Sequence, residues 1–301
     1  MIVAGSVLTL FLMMAVGFAL TKKKILGAET LSQLSQILLK VVAPCVVVSS
    51  LQVDFSVDLL KTMAVALLVI AVTYILYGVL VHFMFKKQPP ATRASLRFGI
   101  MFGNIGFMGL PLIQAVLGQE ATIFCVMSLA VFNVANWTYG VALMGDRVSV
   151  KKAVLNPGVL SLVAAVLLFV LQIRLPAPVL SAVEYMGSLN TPLAMLVIGG
   201  QMAGADLLAT FKEKRLYGAT LVKLVVMPLL TLVVLLPFHL DQLMFLTIVI
   251  LSGCPTAGAT SMFTQMYDKD TATAARLVTL STLLSIITLP LVALVARQLG
   301  G

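Results

Sequence analysis

Two stretches of an otherwise apolar chain carry the residues able to recognise a solute. The first reads Phe102-Gly103-Asn104-Ile105-Gly106-Phe107-Met108-Gly109-Leu110-Pro111, the second Leu251-Ser252-Gly253-Cys254-Pro255-Thr256-Ala257-Gly258-Ala259-Thr260. Asn104 offers two donors and an acceptor, which suits a carboxylate without the desolvation cost of a buried charge. Its other reading is an amide that bridges packed helices. Thr256 and the N–H groups after Pro255 are candidates for an anion nest at the start of a half-helix. This is the chemistry of binding, not of bond making. Ser252, Cys254 and Thr256 are the nucleophile types near a break, and no His or Asp within a span accompanies them as base, so an enzyme is not expected. His82 and His239 sit near the ends of apolar stretches, and the sixteen methionines suit gap filling better than a metal pathway. Neither a metal centre nor a cofactor is expected.

The elements that hold these stretches must lie in a bilayer. The chain has 301 residues, 60% of them apolar and 10% charged, with a mean hydropathy of +1.10. Soluble domains run at roughly 45–50% apolar and about 25% charged. The excess must face lipid, and ten spans of about 20 residues would use about two thirds of the chain. Lys, Arg, Asp, Pro and Gly divide the apolar runs into spans near 2–20, 31–51, 59–85, 94–117, 121–144, 155–173, 179–203, 216–237, 241–265 and 270–297. The three cysteines, Cys45, Cys125 and Cys254, fall inside these runs and build no disulfide scaffold. No basic region precedes the first run, which is therefore read as a span and not a cleaved leader.

Fifteen of the twenty basic residues fall in alternate loops, around Lys22–Lys24, Lys86–Arg97, Arg147–Lys152, Lys212–Arg215 and Lys269–Arg276. The opposite side holds Lys61, Arg174 and Arg297, and the spans hold Lys40 and Lys223. Cytoplasmic loops retain Lys and Arg, which places both termini outside the cytoplasm. The net charge of +9 is then topology and attraction to anionic headgroups, with no nucleic-acid partner required. Residues 1–145 and 146–301 each hold five spans and so read as two inverted repeats. An offset of 150 sets Gly103 on Gly253, and Pro44 has a counterpart in Pro192. The fold class expected is an all-α membrane protein of ten helices, with the fourth and ninth broken and crossing near the midplane. Gly103, Pro111, Gly253, Pro255 and Gly258 make the breaks, because glycine and proline weaken the helical ladder. Freed backbone groups at that depth are tolerated only where protein or a cavity satisfies them.

The stretches Asn104–Pro111, Leu155-Asn156-Pro157-Gly158 and Cys254–Gly258, with Ala43-Pro44 more weakly, resemble the auxin efflux carrier family. Its members include plant auxin exporters and bacterial permeases for small carboxylates. The resemblance implies substrate-lining roles for Asn104, Ile105 and Gly106, for Ala43 and Val47, for Gly158, and for Pro255, Thr256 and Ala257. It also implies a homodimer. The auxin carriers have Gln at the position of Thr256 and Asn at that of Gly158, and a long cytoplasmic loop where this chain has about ten residues around Arg147. Those departures point away from auxin and towards a smaller carboxylate.

The function expected is secondary transport of a small organic anion, such as malate, malonate or an auxin-like acid, across the inner (plasma) membrane. A membrane sensor or a channel for a small anion is the alternative. Lys40 and Lys223 each have two readings: a snorkelling or paired cation, or a charge that attracts the substrate. Asn133, Asn136 and Gln201 either line the cavity or cement helix packing.

Overall fold

A computed structural model describes residues 2–148, 151, 155 and 157–299. Asn156 and Lys152 lie outside the described residues. The order is α1 (Ile2–Lys22), α2 (Ala28–Ser50), α3 (Val57–Phe83), α4 (Pro90–Met101), α5 (Ile105–Leu117), α6 (Gln119–Leu143) and α7 (Pro157–Val170). There follow α8 (Ala177–Ser188), α9 (Asn190–Ala203), α10 (Leu207–Lys212), α11 (Lys214–Phe238), α12 (Gln242–Ser252), α13 (Ala259–Met266) and α14 (Thr271–Leu299). Among the described residues, six helices are long and apolar enough to cross a membrane: α1, α2, α3, α6, α11 and α14. Helices α5, α7 and α12 are apolar but shorter. The chain is an all-helical membrane protein.

Helix starts follow local chemistry. Ser56, Asp206 and Asp241 each cap a helix, their side-chain oxygens accepting from Leu59 N, Ala209 N and Met244 N at 3.0–3.1 Å. On α3, Ala66, Ile70 and Val81 are buried while Leu68, Ile75 and Phe83 are more than 60% exposed. That second stripe is the surface lipid must cover.

Four turns widen to π geometry: Leu38–Val42, Ile105–Gly109, Asn136–Gly140 and Val222–Val226. Three of them end two residues before a proline, namely Pro44, Pro111 and Pro228. A proline ring collides with the carbonyl four residues back and supplies no N–H. The widened turn moves that carbonyl aside and keeps the helix going. Pro192 acts more severely. The sequence reads 179–203 as one span, but the helix divides at Leu189 into α8 and α9, because Pro192 has no N–H for the Ser188 carbonyl.

Helix α1 lies along α9, and glycines set how closely. A Cβ on Gly17 would stand 2.2 Å from the Leu196 carbonyl oxygen, and one on Gly199 would stand 1.9 Å from that of Met14. Helix α2 packs on α7 and α8, α3 on α6, and α14 on α4, α12 and α13. Helix α14 thus lies against helices that flank two gaps in the chain's helical run, that between α4 and α5 and that between α12 and α13.

Candidate functional site

The two gaps meet. Asn104 N donates to the Pro255 carbonyl at 2.7 Å, and Ala257 N donates to the Phe102 carbonyl at 2.9 Å. These bonds form an antiparallel bridge between Gly103 and Thr256. Four helix ends gather there: α4 and α12 finish, while α5 and α13 begin. Backbone groups that lost their helical partners therefore satisfy one another across the crossing, as an apolar surrounding demands. Gly103 is required by close approach. A Cβ there would lie 2.8 Å from Lys223 Nζ and 3.2 Å from the Cys254 carbonyl oxygen.

Asn104 is 8% exposed. Its Oδ1 accepts from Phe107 N at 3.3 Å and its backbone carbonyl accepts from Met108 N and Gly109 N, so it caps α5. Its Nδ2 has no protein partner among the described residues. The oxygen is thus taken up as a cap on its own helix, not as a bridge between helices, and the nitrogen is an uncommitted donor beside the first N–H groups of α5.

Thr256 is fully buried, and its hydroxyl donates to the Gly99 carbonyl at 2.9 Å. Its N–H goes to Ser281 Oγ at 3.1 Å, and that of Ala257 to Phe102. The donors expected to form a nest after Pro255 are, in this conformation, spent on holding the crossing together. Gly253 ends α12, Gly258 opens α13 beside Gln201 Oε1, and Pro111 lies in the first turn after the π segment of α5.

The crossing collects Gly103, Asn104, Pro255, Thr256 and Ala257. Ile105 packs into an apolar cluster with Val46, Leu251 and Cys254, and Gly106 faces Leu129. Ala43 and Val47 lie on α2 and Gly158 on α7, two helices that pack together, and Val47 sits in a separate cluster with Leu51, Met63 and Phe169. Lys40 is exposed and donates to Gln36 Oε1 at 3.0 Å, away from the crossing. Asn133 is spent on the Leu129 carbonyl, whereas Asn136 is buried with an unpaired Oδ1.

Lys223 is the residue whose place the sequence did not reveal. It is 1% exposed, in the π turn of α11, and Nζ donates to the Ser252 carbonyl at 3.3 Å. Gly99 and Ser281 were not legible as partners either. Their one signal is the run of small polar residues Thr279, Ser281, Thr282 and Ser285 on α14, all buried.

A chain with this helical architecture and this crossing has the form of a membrane transporter. A profile of the family described as "Membrane transport protein" matches residues 2–149 and 146–293, and the chain belongs to that family, the one that includes the auxin efflux carriers. It is 25% identical over 234 residues, 73% of this chain and 72% of the relative, to a Rhizobium meliloti (strain 1021) protein named "Putative malonate transporter".

Proposed function

We propose that this protein is a secondary transporter that moves a small carboxylate across the inner (plasma) membrane by alternating access at the crossing of its two broken helices. In this reading ten spans form two inverted five-span repeats, 1–145 and 146–301, with both termini outside the cytoplasm, and the protein works as a homodimer. One observation carries it. Two breaks far apart in sequence are hydrogen-bonded to each other, and beside them Asn104 carries an uncommitted amide N–H₂. The start of α5 adds a positive helix-end field that favours an anion. Among the described residues no Asp or Glu lies at the crossing, so a cationic solute would find no fixed countercharge there. Malonate is the first candidate, because the Rhizobium relative bears that substrate in its name and because two contacts of the auxin carriers are replaced here by Thr256 and Gly158.

The test is uptake by purified protein in sealed liposomes, screened over malonate, malate, oxalate, lactate and indole-acetate. Saturable uptake of at least one carboxylate is expected. Transport of methylamine with no carboxylate moved would discard the anion reading, and flux that never saturates would replace the carrier by a channel.

A further inference from the structure

A buried ammonium normally sits against a carboxylate. Lys223 does not. The ion pairs among the described residues engage Asp54, Asp58 and Glu213, all at the ends of spans. Lys223 instead meets the Ser252 carbonyl, at the C-terminal end of α12, where the helix dipole is negative. Beside it lies a cavity of about 30 Å³, lined by Thr73, Tyr74, Tyr77, Ser128, Ser252 and Gly103. That is room for one or two waters.

Four of the five hydroxyls on this wall have a common property, and the fifth, that of Tyr74, has no hydrogen-bond partner among the described residues and is free to turn its lone pairs inward. Thr73 donates its hydrogen to the Val69 carbonyl at 2.8 Å, Ser128 to Phe124 at 2.8 Å, and Ser252 to Val249 at 2.6 Å. Thr231 donates to the Met227 carbonyl, so the Tyr77–Thr231 hydrogen bond must run from Tyr77 to Thr231. Thr73, Ser128, Ser252 and Tyr77 have thus each given their hydrogen away and retain acceptor capacity alone. Oxygen acceptors with no negative charge suit a monovalent cation and repel an anion. Gly103 and Ile105 line this cavity but Asn104 does not, which separates the cation side of the crossing from the anion donor.

We propose that the ammonium of Lys223 is a tethered cation in a seat of neutral oxygens behind the crossing, doing there what a bound alkali-metal ion would do. It neutralises the carbonyl end of α12 and holds it against the Gly103 segment, so the crossing carries its own positive charge and requires no metal cation at this place. The seat is a property of the fold and holds whichever solute is carried.

Lys223→Ala vacates the seat and leaves space for a free cation. In choline chloride this variant melts below wild type. Sodium chloride or methylammonium chloride at equal ionic strength raises its Tm saturably by about 2–4 °C, the size expected when a ligand binds the folded state at several times its Kd. Wild type, with its seat filled, shows no such difference between salts. Identical melting of Lys223→Ala in choline, sodium and methylammonium overturns the proposal. Should the Ala variant not fold, Lys223→Met, which keeps the apolar stem and fills the space, decides it by [¹⁴C]malonate uptake in choline. At least a tenfold loss is expected, with no recovery on adding sodium, and wild-type uptake overturns the proposal. Failure of wild type itself to take up malonate would bear on the substrate and leave the melting comparison intact.

Discussion

In the proposed function Asn104 has two jobs on two atoms, a cap on Oδ1 and a carboxylate donor on Nδ2, and substitutions can separate them. Replacing it by Ala removes the cap on Phe107 N and the spare Nδ2 donor together. Loss of an N-cap costs about 0.5–2 kcal/mol of stability. Loss of a hydrogen bond to a charged carboxylate costs about 1.5–3 kcal/mol of binding, or roughly ten- to a hundredfold in Kd. Asn104→Ser keeps an oxygen able to accept from Phe107 N, whose present bond is 3.3 Å, and discards the amide nitrogen. Its melting temperature is therefore expected close to wild type, with carboxylate affinity down at least tenfold. Asn104→Asp keeps the cap and sets a negative charge against an anionic solute, so its affinity should fall further than that of the Ser variant. The assay is paired: Tm and substrate affinity, by titration in detergent, on the same preparations. A Ser variant that melts like wild type and binds like wild type would refute the donor role and leave Asn104 as a cap alone.

Gly199→Ala is expected to cost about 3 kcal/mol, because its Cβ would meet a backbone oxygen at 1.9 Å that no side-chain rotation can move; thermal unfolding would show a loss of several degrees, and an unchanged Tm would contradict the packing described. Asp270 accepts from the Thr92 hydroxyl at 2.7 Å and from Thr273 N and Oγ1, joining the start of α4 to that of α14. Burial alone would push its carboxyl up, but these hydrogen bonds and nearby Arg215 hold it below the ordinary value. A depressed pKa contributes stability above the unfolded value of about 3.9 and loses it as pH falls through the folded one. The Tm gap between wild type and Asp270→Asn should accordingly be largest near neutral pH and close below about pH 4; a gap independent of pH would remove the carboxylate from the account. A fluorescent or enzymatic reporter that works only in the cytoplasm, fused to the C-terminus, should stay silent, and a strong signal would overturn the proposed orientation.

Much of the architecture was legible because its signals are local. Apolar runs cut by Lys, Pro and Gly mark where helices lie, and Gly103 to Pro111 and Gly253 to Gly258 announce breaks by the residue types that cannot continue a ladder. Pro192 was legible as a residue but not as the end of α8, since the same proline type in α2 and α11 only widens a turn. The partners across the crossing were not legible. That Thr256 would bond Gly99 and Ser281, and that Lys223 would point its ammonium at Ser252, depends on which faces of α4, α11 and α14 meet, and periodicity in an apolar helix names no partner. Ala43, Val47 and Gly158 entered through resemblance alone, and they lie on α2 and α7, which pack together.

The contact of α1 with α9 bears on how the molecule can move. Gly17 rests on the carbonyl of Leu196, and Gly199 on that of Met14, so each helix is keyed into the other at two points. A helix keyed in this way can neither slide along its neighbour nor roll over it without driving main-chain atoms together. The two must travel, or stand still, as one rigid block. Yet α1 opens the chain and α9 lies beyond its middle. Any surface along which helices of this protein slide past one another therefore cannot divide them by their order in the sequence, since it must leave α1 and α9 on the same side.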